Sequence, residues 1–166
     1  MRLVLSFLLM LIAAPLAAGD ADLRRLDTGE DSKGWEAVGR LDLGGEGFCT
    51  GALIAPGLVL TAAHCLFGDD GSRIDPGKIQ FQAGFRNGRA LAYREVRRAV
   101  IHPDYDYDGR VSSERVRNDI ALLELYHPIK NPNIRPFDIG TRPQNGARVG
   151  VVSYAEGREE APSLQD

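Results

Sequence analysis

The segment Leu58-Val59-Leu60-Thr61-Ala62-Ala63-His64-Cys65 decides how this chain is read. It closes an apolar run and sets a histidine directly beside a cysteine. The other cysteine, Cys49, lies sixteen positions before Cys65. Asp119 heads a second apolar run, Ile120-Ala121-Leu122-Leu123, fifty-five positions beyond His64. A base, a carboxylate to orient it and a disulfide to pin the turn that carries the base are parts of a nucleophilic hydrolase. No serine of the chain stands in a nucleophile-like context, so half of such a machine is in view.

The beginning of the chain is set apart from the fold. Arg2 precedes an apolar run from Leu3 to Ala14, then small residues up to Ala18 and Gly19. This pattern predicts a secretory signal peptide over residues 1–18. The run is shorter than the ~20 residues of a membrane span, so no membrane contact is expected after cleavage. About 148 residues remain, enough for one sizeable core. Export to the exterior or the periplasm is oxidising, so Cys49 and Cys65 are expected to pair. Their bridge closes a loop of about 17 residues and contributes about 3 kcal/mol in the chain-entropy model. Net charge is −3, and Arg94, Arg97, Arg98, Arg110, Arg115 and Arg117 are interleaved with acids. Phosphate recognition needs a concentrated basic face, so nucleic acid is excluded as a partner.

Residues 19–34 are polar and turn-rich and read as a flexible N-terminal segment. From Trp35 to Leu43 apolar and polar residues alternate, the mark of a half-buried strand. Gly44 to Gly47 turn the chain into a second strand, Phe48 to Ala55, and Pro56-Gly57 into a third ending at Thr61. Ile79, Phe81 and Ala83 mark a fourth. Tyr93 to Ile101 also suits a helical face, but its β-branched residues and the following His102-Pro103 favour a strand. Ile120 to Leu125 is a sixth strand, almost continuously apolar. Prolines at 128, 132, 136 and 143 punctuate a linker over residues 128–147, and Arg148 to Tyr154 opens a further strand with no partner left in the sequence. Six short strands with regular turns predict an all-β antiparallel barrel or sandwich over residues 35–127.

Gly51-Ala52-Leu53-Ile54, Val59-Leu60-Thr61-Ala62-Ala63-His64-Cys65 and Asn118-Asp119-Ile120-Ala121-Leu122-Leu123 together resemble the first half of trypsin-like (chymotrypsin-family) serine peptidases, in the flavour of secreted bacterial members. Val38-Gly39-Arg40-Leu41 and His102-Pro103-Asp104-Tyr105 add to the likeness, and Gly150-Val151-Val152-Ser153-Tyr154 resembles the strand that opens the second barrel. The resemblance implies the first six-stranded barrel of a double-barrel fold, with residues 148–166 a truncated start of the second. It implies polypeptide substrates, His64 as general base and Asp119 as the carboxylate that fixes its tautomer. No cofactor or metal is implied; the three histidines lack zinc-ligand spacing.

The chain departs from that pattern in three places. Nothing resembles the Gly-Asp-Ser-Gly-Gly-like turn that carries the family's nucleophile and oxyanion hole. Ser112 and Ser113 lie in a loop, Ser153 in a strand and Ser163 in a tail. The chain alone is therefore expected to be inactive: a serine endopeptidase represented by its His/Asp portion, the alternatives being a non-catalytic binding module and a nonfunctional fragment. Arg24-Arg25 is a candidate processing site, but Leu26-Asp27 is an atypical new N-terminus. Asp104-Tyr105-Asp106-Tyr107-Asp108-Gly109 begins like a calcium loop, yet position twelve is Arg115, so a solvated acidic turn is expected.

Overall fold

The alternation seen in the sequence becomes the inside and outside of a barrel in the computed structural model, which describes residues 23–107 and 113–165. Strands β2 (Val38–Asp42), β3 (Phe48–Ala55), β4 (Leu58–Thr61), β5 (Gln80–Ala83), β6 (Ala92–Ile101) and β7 (Ala121–Leu125) close in the order β2-β3-β4-β7-β6-β5. Every pairing is antiparallel. Leu41, Leu53, Val59, Phe81, Val96 and Leu123 point inward and are completely shielded from water. Each such side chain stabilises the fold by about 1.5–3 kcal/mol. The strand expected from Trp35 begins only at Val38, because Trp35 and Val38 spend their N–H groups on the turn carbonyls of Ser32 and Trp35.

Strand β6 shows why its segment also suited a helix. Val96 pairs with Leu125 and Arg98 with Glu124, so one extra residue is inserted into β6. Such a bulge switches which face successive side chains occupy. Val96 points into the core before the insertion, and Ala99 and Ile101 pack against it afterwards. The chain then reaches a short helix, α1 (Ser113–Asn118), in place of the loop expected around Ser113. The remainder of the acidic turn, residues 108–112, lies outside the described residues.

Two further expectations are corrected outside the barrel. The strand after Gly150, expected to stand alone, is β8 (Val151–Ala155), and it pairs with β9 (Arg158–Gln165). The segment read as flexible contributes β1 (Leu23–Arg25), which pairs with the other side of β9. Leu26 donates its N–H to the carbonyl of Pro162 at 2.9 Å and is wholly buried. The bond after Arg25, at the candidate processing site, thus joins a paired strand to a buried side chain. Charges and a proline hid β9: Pro162 sits at the irregularity between Ser153 and Ala155, where the ladder needs no donor. Ser163, read as tail, is buried in this strand.

Tyr154 docks this small sheet on the barrel. Its N–H donates to Thr50 Oγ1 at 2.9 Å and its hydroxyl to the carbonyl of Phe85 at 2.7 Å. Burial pushes the Tyr154 phenol well above the ordinary tyrosine range.

Gly39 has less room for a side chain than the other glycines of the barrel strands. A Cβ there would meet Phe81 Cε2 at 2.3 Å and the carbonyl oxygen of Gln82 at 2.8 Å. Gly39→Ala is expected to cost about 1–3 kcal/mol by overpacking. Gly57→Ala meets nothing within 4 Å and should stay within about 0.5 kcal/mol of the parent. Urea unfolding of both variants checks the contrast.

Candidate active site

Antiparallel pairing of β4 with β7 sets Thr61 opposite Ala121. The end of one strand and the start of the other therefore lie side by side. Two residues beyond Thr61 the chain enters a 3-10 turn, Ala63–Leu66, that presents His64. Two residues before Ala121, the exit from α1 presents Asp119. Thr61 Oγ1 donates to the carbonyl of Thr50 at 2.8 Å, fixing the chain just before the turn.

Asp119 grips the His64 turn at two points. Its Oδ1 accepts the His64 backbone N–H at 2.8 Å, and its Oδ2 lies 2.7 Å from His64 Nδ1. An ionised carboxylate only accepts hydrogen bonds, so a neutral ring holds its proton on Nδ1 and keeps its lone pair on Nε2. The Asp119 side chain retains 17% of its accessible surface and that of His64 retains 50%. The acid is therefore shielded while the ring faces solvent. Among the described residues, no hydroxyl group hydrogen-bonds to His64.

The Cys49–Cys65 disulfide ties the turn to β3, with Cα atoms 6.1 Å apart. It forms part of the wall of a groove of about 630 Å³. The lining includes His64, Phe48, Phe67, Glu46, Asp69 and Asp70. The Ser72 side chain and backbone N–H, both bonding to Asp70, hold its carboxyl below the usual aspartate range. A second cavity, about 250 Å³, is lined by Trp35, Phe85, Arg86 and Tyr154 and contains neither His64 nor Asp119.

The structure thus brings together all four residues singled out from the sequence: His64, Asp119, Cys49 and Cys65. His102 stands apart, its Nδ1 accepting the Asp104 N–H at 3.2 Å, and His127 is exposed. Sequence reasoning missed the support around the pair. Thr50 receives Tyr154 N–H on its hydroxyl and the Thr61 hydroxyl on its carbonyl. The one available signal was its place beside Cys49.

A closed antiparallel barrel that delivers an aspartate-oriented histidine from the ends of adjacent strands defines the chymotrypsin-like class of fold. Comparison with known proteins agrees. The family described as Trypsin matches residues 29–165, and the chain belongs to that family. Mouse serine protease 56 is 33% identical over 138 residues, covering 81% of this chain and 21% of that protein. Human cathepsin G is 31% identical over 114 residues, covering 68% of this chain and 40% of its own length. The solved kallikrein-related peptidase 10 in complex with Zn2+ superposes with a TM-score of 0.57 at 24% identity, covering 80% of this chain and 56% of that one. The chain therefore spans well under two thirds of the relatives it matches.

Asp119→Ala would leave both His64 donors without their acceptor. It is expected to cost about 1–3 kcal/mol in urea unfolding. The downfield Hδ1 resonance of His64 in proton NMR should disappear with it, and Asp119→Glu should restore that signal at least in part.

Proposed function

We propose that this chain supplies the general base, His64, and its orienting carboxylate, Asp119, to a secreted serine endopeptidase. The nucleophile and primary specificity pocket would be supplied by polypeptide beyond residue 166. The two-point hold of Asp119 on the His64 turn carries this reading. It fixes tautomer and direction together, leaving Nε2 as the position from which a serine hydroxyl would lose its proton. Membership of the trypsin family supports a polypeptide substrate. The lack of a hydroxyl on His64 among the described residues supports a nucleophile from elsewhere.

In this reading residues 1–18 are the export signal, 35–127 the first barrel and 128–147 the linker. Residues from 148 open a second barrel. The edge position of β8 in the three-stranded sheet, with Val149 and Val151 exposed, suits further pairing there. The disulfide supports an oxidising destination. No helix among the described residues is long and apolar enough to cross a membrane.

Translation of the DNA downstream of codon 166 in all three frames is expected to reveal a Gly-x-Ser-Gly turn. The extended product should react with a fluorophosphonate probe, and the 166-residue chain should not. His64→Ala in the extended product is expected to lower kcat by about 10⁴–10⁶-fold without removing substrate binding. No such turn in any frame, or full activity in the His64→Ala variant, would overturn the assignment.

A further inference from the structure

We propose that Thr50 is a positioning residue for His64, carrying the seating of the β8–β9 sheet to the turn that presents the ring. The inference deepens the reading of His64 as general base and rests on that reading for its kinetic consequence. Its geometric part stands on the hydrogen bonds alone.

The His64 turn is tethered to β3 at its start and near its end, and both tethers run to neighbouring residues. At the start, Thr61 Oγ1 donates to the carbonyl of Thr50 at 2.8 Å. Near the end, Cys65 is bonded to Cys49. Ala62, which precedes the turn, has no side-chain group to cap it. The turn therefore takes its fixation from the Cys49–Thr50 pair and from Asp119. Strand β3 has no slack at this point. Gly51 follows directly, and a Cβ on it would meet Val59 Cγ1 at 2.7 Å and Leu41 Cδ1 at 3.3 Å. In so tightly packed a strand, a displacement of Thr50 is passed to both tethers and not absorbed.

The small sheet is what acts on Thr50. The β8–β9 ladder is irregular between Ser153 and Ala155, which leaves Tyr154 out of its register. Tyr154 is only 6% exposed, and a buried backbone N–H must find a partner. Thr50 Oγ1 supplies it at 2.9 Å. The hydroxyl of Tyr154 fixes the other end of the same residue on the Phe85 carbonyl at 2.7 Å. Its ring meets that of Phe85 edge-on, with centroids 6.2 Å apart. Thr50 thus serves two structures with two different oxygens: the hydroxyl holds the sheet and the carbonyl holds the turn. Valine matches its shape but lacks the hydroxyl, and serine keeps the hydroxyl but lacks the methyl group. The pair separates the hydrogen bond from the packing.

The test uses the full chain and reads the Hδ1 proton of His64 by NMR, with Tm measured alongside. Thr50→Val removes the acceptor for Tyr154 and is expected to shift that resonance upfield or broaden it away. Thr50→Ser should restore it. Tyr154→Phe leaves Thr50 intact and loosens the sheet only at Phe85, so it should move the signal the same way by a smaller amount. In the extended product, Thr50→Val is expected to lower kcat by about 10–100-fold, with KM changed less than about twofold. Thr50→Ser should recover most of kcat. A Thr50→Val chain that melts lower while the His64 signal and kcat stay at parental values would mark the threonine as purely structural and overturn the proposal. An unmoved signal in folded Tyr154→Phe would break the link to the sheet and overturn it equally, even if Thr50→Val fails to fold. An extended product that is inactive with Thr50 intact would refute the endopeptidase reading instead, and the NMR measurements would still decide the role of Thr50.

Discussion

A single carboxylate holds this part of the molecule in shape. Asp119 accepts from the backbone and from the ring of the same residue, so it sets the position of the His64 turn as well as the direction of its imidazole. One hydrogen bond to Nδ1 alone would leave the turn free to pivot about it. Two acceptors on one rigid carboxylate remove that freedom, and the disulfide at Cys65 removes what is left on the other side. Preorganisation of this kind is what proton transfer from a positioned nucleophile demands. The geometry follows from strand pairing. Because Thr61 faces Ala121 across an antiparallel ladder, residues just past one strand and just before the other meet without long connections.

The class of the fold and the meeting of His64 with Asp119 were both legible in the residues, for a shared reason. Alternation marked the barrel strands because one face of each is core. The histidine and aspartate stood out because polar groups at the ends of apolar runs need partners. The parts that were not legible break one of those two rules. In β6 the bulge at Arg97 shifts the inward face by one residue, so no single period fits the segment. In β9 the sequence Arg158-Glu159-Glu160-Ala161-Pro162 carries charge and a proline, and only Ala161, Pro162 and Ser163 are buried. In β1 three exposed residues form a strand solely because β9 offers them an edge. Pairing of that sort is tertiary, and local composition does not encode it.

The small sheet also bears on the site. Tyr154 reaches from β8 to Thr50 through its backbone and to Phe85 through its hydroxyl. Thr50 is flanked by Cys49 and accepts the Thr61 hydroxyl just before the His64 turn. One residue therefore links the docked sheet, the disulfide strand and the approach to the histidine. Arg40 strengthens this seam, its guanidinium lying 4.9 Å from the centre of the Phe48 ring and 5.5 Å from that of Phe85. Cation–π contacts of this kind contribute most where water is excluded. The Arg40 side chain keeps only 19% of its accessible surface.

The groove beside His64 is lined by acidic side chains. Asp70 stays ionised to lower pH than an ordinary aspartate, because the hydrogen bonds from Ser72 stabilise the carboxylate and not the acid. Glu46, Asp69 and Glu156 add to the same wall, and the described lining residues include no lysine or arginine to offset them. A field of one sign over a concave surface attracts positive charge and repels negative charge well beyond contact distance, until salt screens it at about 8–10 Å. His64 lines this groove with its ring half exposed, and the carboxylate of Asp119 occupies one of its nitrogens. A charged group approaching the His64 ring therefore meets that negative wall first, and positive charge is favoured there at low salt.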